Sequence, residues 1–502
     1  MTDAISRISA QNAGRMRKTK TRREFVRQSV MAAGLLTLRR GSVFLTAKLA
    51  ADKEAISKLR SKFSGRLIVP GDPEYDAARK VIEMNPENDK HPAVVAQCKN
   101  DEDILRCIEF AHREQMEVAV RSGNHSILGW GSCDKGIVID LSSMKGVAVD
   151  AVKRTAQART GNTAEEILVA TIKYGLTPVL GECGTVGAGL ALAGGFSWLS
   201  GQYGATSDNV LGARLITADG RTVKSDANTN EDLFWAIRGG GGNFGVATLL
   251  EYQLHPIGEV LAGDLVYPSK NAKPILRFFR DFMANAPDEL QAECYLTTHH
   301  GGRVSMQSVY SGNLDEGERL LDTFRKFQAP YEDSVKRRSF ADIYRLNEDE
   351  ASFSSPFEYM KDSYLETVPD EAIDLICESF AQAPPSCDVV FNFGHYVHGQ
   401  LCRVAPEATA FELRKAGAVN LGFWAQWKEQ AQASTCTAWV NKTFEQLQPF
   451  SGGRVCSNFV STKDEFTAKR VYGNNYPRLA QLKKKYDPEN FFHLNQNVLP
   501  KQ

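Results

Sequence analysis

Arg121-Ser122-Gly123-Asn124-His125-Ser126, following the strand-like stretch Glu117 to Arg121, and Gly181-Glu182-Cys183-Gly184-Thr185-Val186-Gly187 decide how this chain is read. Each surrounds one nucleophilic side chain, His125 or Cys183, with small residues. Without Cβ obstruction, the backbone N–H groups of such loops can face an anion, and an imidazole or thiol fixed beside them can attack an electrophilic ring. The pair therefore points to a flat, phosphorylated ligand held closely and bonded to the protein.

The 502 residues predict two or three folding units, and 42% hydrophobic residues suffice to bury them. Lys+Arg and Asp+Glu total 60 each, so nothing in the balance suggests nucleic acid or an acidic surface as a partner. Ten cysteines are too dilute for a disulfide scaffold and include no CxxC pair, so most read as buried small hydrophobes. At the N-terminus, basic and polar residues lead to Thr21-Arg22-Arg23-Glu24-Phe25-Val26-Arg27 and the apolar stretch Val30 to Leu38. This resembles a twin-arginine export signal within a leader of residues 1–51, although Arg39-Arg40 ends the apolar run early; the alternative is a basic leader on a cytoplasmic protein. No later segment has the ~20 apolar residues a bilayer span requires.

From residue 52 to 256 short strands and helices alternate in an α+β pattern. Asp101 to Arg113 carries an acidic first turn and an apolar stripe, Thr163-Ala164-Glu165-Glu166 is a capping box, and Leu215 to Lys224 is a hairpin around Asp219-Gly220. Residues 257–450 lack glycine loops and alternate helices with strands such as Gly301 to Tyr310 and Asp388 to Phe393, which predicts a second domain. Residues 451–502 include a charged helix, Thr467 to Tyr486, ending in Asp487-Pro488-Glu489-Asn490-Phe491-Phe492.

Gly240-Gly241-Gly242-Asn243-Phe244-Gly245 formally fits the dinucleotide fingerprint, but a helix-like stretch precedes it and a strand-like stretch from Val246 follows. The Rossmann order is the reverse, so this is a glycine turn rather than an NAD site. His395-Tyr396-Val397-His398 invites a metal reading. In a strand, however, His395 and Tyr396 face opposite ways and no third ligand is evident, so no metal is expected and a pocket wall is favoured.

The order of these pieces is specific: RSGNHS after a strand, GECGTVGAG, Gly194-Gly195-Phe196, Asp208-Asn209-Val210-Leu211, TADG, GGGGNFGV, then Tyr472 to Tyr476 and Asn495-Gln496-Asn497. The set resembles the FAD-linked oxidases of the berberine bridge enzyme type, in the vanillyl-alcohol oxidase superfamily. The resemblance implies a PCMH-type FAD-binding domain in two parts, residues 52–256 and 451–502, with an inserted substrate domain of antiparallel sheet and helices at 257–450. It implies FAD bonded through His125 at the 8α carbon and through Cys183 at C6. Arg121, Ser122, Gly123, Asn124, Ser126 and Gly129 would form the first flavin loop, and Thr185, Gly187, Gly194 and Gly195 the second. Asp208, Asn209, Val210, Gly245, Val246, Asn495 and Gln496 would complete the cofactor site. Three positions depart from the usual pattern: Gly184 stands for proline, Leu190-Ala191 for Gly-His, and Asn124 for glycine, a site where Asn tolerates positive φ.

The implied chemistry is dehydrogenation of an alcohol, with hydride passing to the flavin and dioxygen reoxidising it to give H2O2. Tyr476, as the tyrosine of an Asn-Tyr pair, is the expected base and Tyr472 its helper; Tyr364, Tyr396 and Gln426 are candidate substrate contacts. A sugar or oligosaccharide hydroxyl is the leading substrate and a polyketide or alkaloid metabolite the second. A dehydrogenase with another acceptor and a non-catalytic flavin binder are the other readings of the same pattern.

Overall fold

A computed structural model describes residues 54–82, 85, 88–347 and 355–501; the twin-arginine expectation falls outside them. The described residues divide into two units at 62/63, and in the first, residues 54–60 are helical.

A four-stranded sheet runs in the order Arg66–Ile68, Val94–Gln97, Ile137–Asp140, Val118–Arg121. The last three strands are parallel and almost wholly buried, as their Val/Ile content requires. Asn100 caps the helix Asp101–Glu114 beside them by accepting from the Asp103 N–H. An antiparallel five-stranded sheet follows, in the order Val147–Asp150, Thr155–Arg159, Val246–Gln253, Val210–Ile216, Thr222–Asp226. The hairpin around Asp219-Gly220 forms its edge, with Ile216 paired to Thr222.

An eight-stranded antiparallel sheet takes every strand from residues 259–427. Its central strands are Arg303–Tyr310, Leu290–Thr297, Asp388–Tyr396 and Val419–Trp427, with Phe357–Leu365 at one edge. Side chains alternate across a strand. Cys294, Phe391, Phe393, Leu421, Phe423 and Ala425 join an apolar core with residues of the helices Ala272–Met283, Leu314–Phe327, Asp370–Ala381 and Ala433–Leu447. Full burial of each large side chain there stabilises by about 1.5–3 kcal/mol. The intervening residues face the other way, into a cavity.

Cys387 and Cys436 form a disulfide, while Cys98, Cys107, Cys133, Cys294 and Cys456 are buried thiols, as expected of most of the cysteines. One expectation needs correction. The helix expected over Thr467 to Tyr486 is two helices, Thr467–Tyr472 and Tyr476–Tyr486, because Gly473 takes φ +44° between them.

Candidate active site

The strand Val118–Arg121 delivers the chain directly into the His125 loop. Arg121 anchors its start: the guanidinium donates to Asp140 Oδ2 at 2.7 Å and to the Ala78 carbonyl at 2.6 Å. Asn124 takes φ +65°, the conformation foreseen for an Asn in place of glycine, and its amide donates to the Lys80 carbonyl. The Cys183 loop hangs on the first turn of the helix Ala164–Ile172, which the Thr163/Glu166 capping box initiates. Its first amides, of Ala164 and Glu165, donate to the carbonyls of Val186 and Gly184.

The two loops meet backbone to backbone. A Cβ on Gly123 would lie 2.3 Å from the Gly187 nitrogen, and one on Gly187 would lie 2.3 Å from the Gly123 nitrogen, so both positions require glycine. Ser122 Oγ ties them by donating to the Thr160 carbonyl and accepting from the Ala188 N–H. At the join, Thr185 Oγ1 lies 2.9 Å from His125 Nε2 and 3.2 Å from Cys183 Sγ, hydrogen-bonding to both. Burial lowers the His125 pKa to about 4, which leaves its ring neutral and nucleophilic at neutral pH.

His125 and Cys183 open into one cavity of about 510 Å³ between the loops and the polar face of the large sheet. Arg121, Ser122, Gly123, Asn124, Ser126, Gly187, Gly245, Val246, Asn495 and Gln496 line it as expected from the sequence. The residues fit a flavin: the close-packed glycine loops leave backbone exposed to a ligand, and buried Asn124 Oδ1 and Asn495 Oδ1 have no hydrogen-bond partner.

Other expected residues lie elsewhere. Asp208 accepts two hydrogen bonds from Arg414, Asn209 donates to the Tyr203 and Ala205 carbonyls, and Val210 is core, so this segment braces the fold and does not line the cavity. Gly194 and Gly195 are pressed against Phe411 and Thr206, and Gly129 against Asn88. Thr185 acts through His125 and Cys183 rather than from the cavity wall.

The candidate bases are also displaced. Tyr472 is fully buried and donates to the Gly240 carbonyl, and Tyr476 packs against the core at the start of its helix; neither lines the cavity. The asparagine–aromatic pair that does is Asn458-Phe459. The three substrate candidates miss it as well. Tyr364 and Gln426 lie outside the lining set, and Gln426 donates to Glu358. Tyr396 joins the apolar core after a register shift between Gly394 and itself.

The wall that sequence reading missed is carboxylate-rich. Glu293 and Tyr295, Glu358, Met360 and Asp362, Asn392, and Asn420, Gly422 and Trp424 line the cavity from four adjacent strands. His395 joins them with its Nδ1 3.0 Å from Glu182 Oε2 and 3.1 Å from Glu293 Oε1. These are ion-pair contacts, since Nδ1 meets neither oxygen in hydrogen-bond geometry. The sequence showed no third metal ligand beside His395 and His398; the structure instead brings Glu182 and Glu293 to His395, with the three ligand atoms within 4.8 Å of one another. Tyr295 donates to Glu293 Oε2 at 2.6 Å, and Asn392 donates to the same oxygen at 3.2 Å. Burial, then the charge of Glu293, pushes the Glu182 pKa up to about 8. Burial lowers the His395 pKa, but the two carboxylates outweigh it and raise the value to about 10, and the His395 charge in turn draws Glu293 down against its burial. Burial also raises Asp362 well above the usual carboxylate range.

The fold and site define a flavin-dependent oxidoreductase. The chain matches the FAD binding domain family over residues 92–226 and the berberine and berberine-like family over residues 438–499. It is 30% identical to an FAD-linked oxidoreductase of Aspergillus terreus, over 88% of this chain and 95% of that one. It is 29% identical to (R)-6-hydroxynicotine oxidase of Paenarthrobacter nicotinovorans, over 88% and 99% of the two chains. The crystal structure of 6-hydroxy-D-nicotine oxidase from Arthrobacter nicotinovorans superposes with TM-score 0.81 at 27% identity, covering 88% of this chain and 98% of that one. The chain belongs to the berberine bridge enzyme-like family of FAD-linked oxidoreductases.

Proposed function

We propose that this protein is a bicovalent FAD-dependent oxidase that dehydrogenates an alcohol, with dioxygen as electron acceptor and H2O2 as product. The observation that carries the reading is the convergence of His125 Nε2 and Cys183 Sγ on one Thr185 hydroxyl at the mouth of two interlocked glycine loops. The His125 and Cys183 loops would hold the isoalloxazine, and Asn495, Gln496 and the Gly245 turn the rest of the cofactor. When bound, the flavin accepts hydride from the substrate C–H and passes the electrons to dioxygen.

The substrate would lie against the polar sheet face. Glu182 Oε1, Glu293 Oε1, both Asp362 carboxyl oxygens, Asn392 Oδ1 and Asn420 Oδ1 are buried polar atoms without a hydrogen bond. A ligand rich in hydroxyls, which both donate and accept, satisfies them, which supports a sugar or oligosaccharide over a less hydroxylated polyketide or alkaloid. The Thr21–Arg27 motif and the Cys387–Cys436 disulfide both support export, since disulfides persist in oxidising compartments.

A panel of mono- and disaccharides, hydroxylated polyketides and alkaloids, read by peroxide release in air, tests the activity. A sugar is expected to give the fastest release. Flavin bleaching without peroxide in air would instead mark a dehydrogenase with another acceptor.

A further inference from the structure

We propose that Glu182 takes the proton of the substrate hydroxyl as the adjacent carbon is oxidised, with His395 and Glu293 as positioning residues that fix its charge. The proposal rests on the flavin reading above.

The hydroxyl oxygen is one bond from the carbon that yields hydride, so its proton acceptor must sit beside the cofactor ring. Glu182 is peptide-bonded to Cys183, lines the same cavity, is 9% exposed, and presents an Oε1 without a partner. Glu358, in the same cavity, already accepts from Gln426 at 2.7 Å. The Tyr295 phenol is already committed as a donor to Glu293. Asp362 projects from the edge strand Phe357–Leu365, and burial outweighs the attraction of His395 and holds its carboxyl well above the usual range.

His395 is held for a purpose other than packing. It takes φ +52° at a bulge in its strand, a conformation that suits glycine and strains histidine. Its ring stacks on Phe196 at 4.8 Å and on Phe459 at 5.0 Å, which aims Nδ1 at both carboxylates. The titratable groups facing Glu182 are His395, Glu293 and Tyr344, whose phenol burial pushes above its ordinary range. With His395 charged and Glu293 ionised, Glu182 is the member of the cluster that changes protonation near neutral pH.

In the step, the substrate O–H bond breaks and its proton moves to Glu182. The C–H pair leaves as hydride to the flavin and C=O forms, so the substrate loses two electrons. Reduction of dioxygen to H2O2 then consumes the hydride equivalent and one proton, which Glu182 returns.

The test uses the yellow holoenzyme. Without substrate, flavin absorbance followed from about pH 6 to about pH 10 should show a transition near 8, absent in Glu182→Gln and kept in Asp362→Asn. With the panel compound that releases peroxide fastest, the anaerobic bleaching rate should rise with pH through the same range. Glu182→Gln should slow it by about 10²–10⁴ and flatten the profile, while Glu182→Asp restores part of the rate and a pH dependence. A wild-type spectrum without that transition overturns the proposal, as does a Glu182→Gln rate within about twofold of wild type or loss of the pH profile in Asp362→Asn instead. Stoichiometric metal in the purified holoenzyme would also overturn it, by making the three side chains ligands. A colourless protein would contradict the flavin reading itself, so the two failures are distinguishable.

Discussion

Lys483 with Asp487, and His395 with Glu182 and Glu293, are both buried charge clusters, and they are finished differently. Lys483 Nζ donates to Asp487 Oδ2 and to the carbonyls of Asn243 and Phe492, which uses all three of its donors. Asp487 also accepts from the amides of Phe491 and Phe492. This pair fastens the glycine turn after Gly240 to the C-terminal segment. Around His395, by contrast, Glu182 Oε1 and Glu293 Oε1 lack a hydrogen bond, and both residues line a cavity. A buried charge with every partner supplied by the chain holds a fold; one with partners missing on the cavity side is arranged for a ligand.

Lys483→Met should give the largest loss of stability, about 3–5 kcal/mol, because Asp487 would remain buried without its cation. Denaturant unfolding of that variant beside Glu293→Gln measures the contrast, and the second should lose less than about 1.5 kcal/mol. Equal losses would break the distinction. Next in size is Cys436→Ser, which opens a loop of sequence separation 49 and should cost about 2–4 kcal/mol without changing flavin content. His395→Gly should cost less than Lys483→Met, since release of the positive-φ strain and protonation of the carboxyls beside it offset part of the lost contacts. It should also move the flavin absorbance transition above pH 8, because the cation that favours the Glu182 carboxylate is gone. The mildest effect is on wild type: peroxide release should rise, not fall, from neutral pH through about 8, as the raised carboxyl gives up its proton and can accept another.

Local chemistry was legible wherever a motif fixes the backbone by itself. The capping box at Thr163, the Asp219-Gly220 hairpin, and the helix-then-strand order around Gly240 to Val246 all form where the residues require them. The loops bearing His125 and Cys183 were legible for the same reason. The substrate wall was not, because a residue such as Glu293 declares its face only when the cavity is known. Its strand, Leu290–Thr297, alternates apolar with polar residues but is buried on both sides, so the polar face does not declare itself as the wall of a cavity. Tyr476 was misplaced because Asn475-Tyr476 and Asn458-Phe459 look alike in sequence, and only the fold shows that the second pair reaches the cavity. The Cys387–Cys436 pairing depends on a helix, Ala433–Leu447, returning to the start of a strand 49 residues earlier, which spacing cannot foretell.

The most direct test of the central claim is acid precipitation of the purified protein followed by peptide mass mapping. Yellow colour should remain in the pellet, and one flavin adduct should join the peptides carrying His125 and Cys183. Colour left in the supernatant, with both peptides at their unmodified masses, would contradict it.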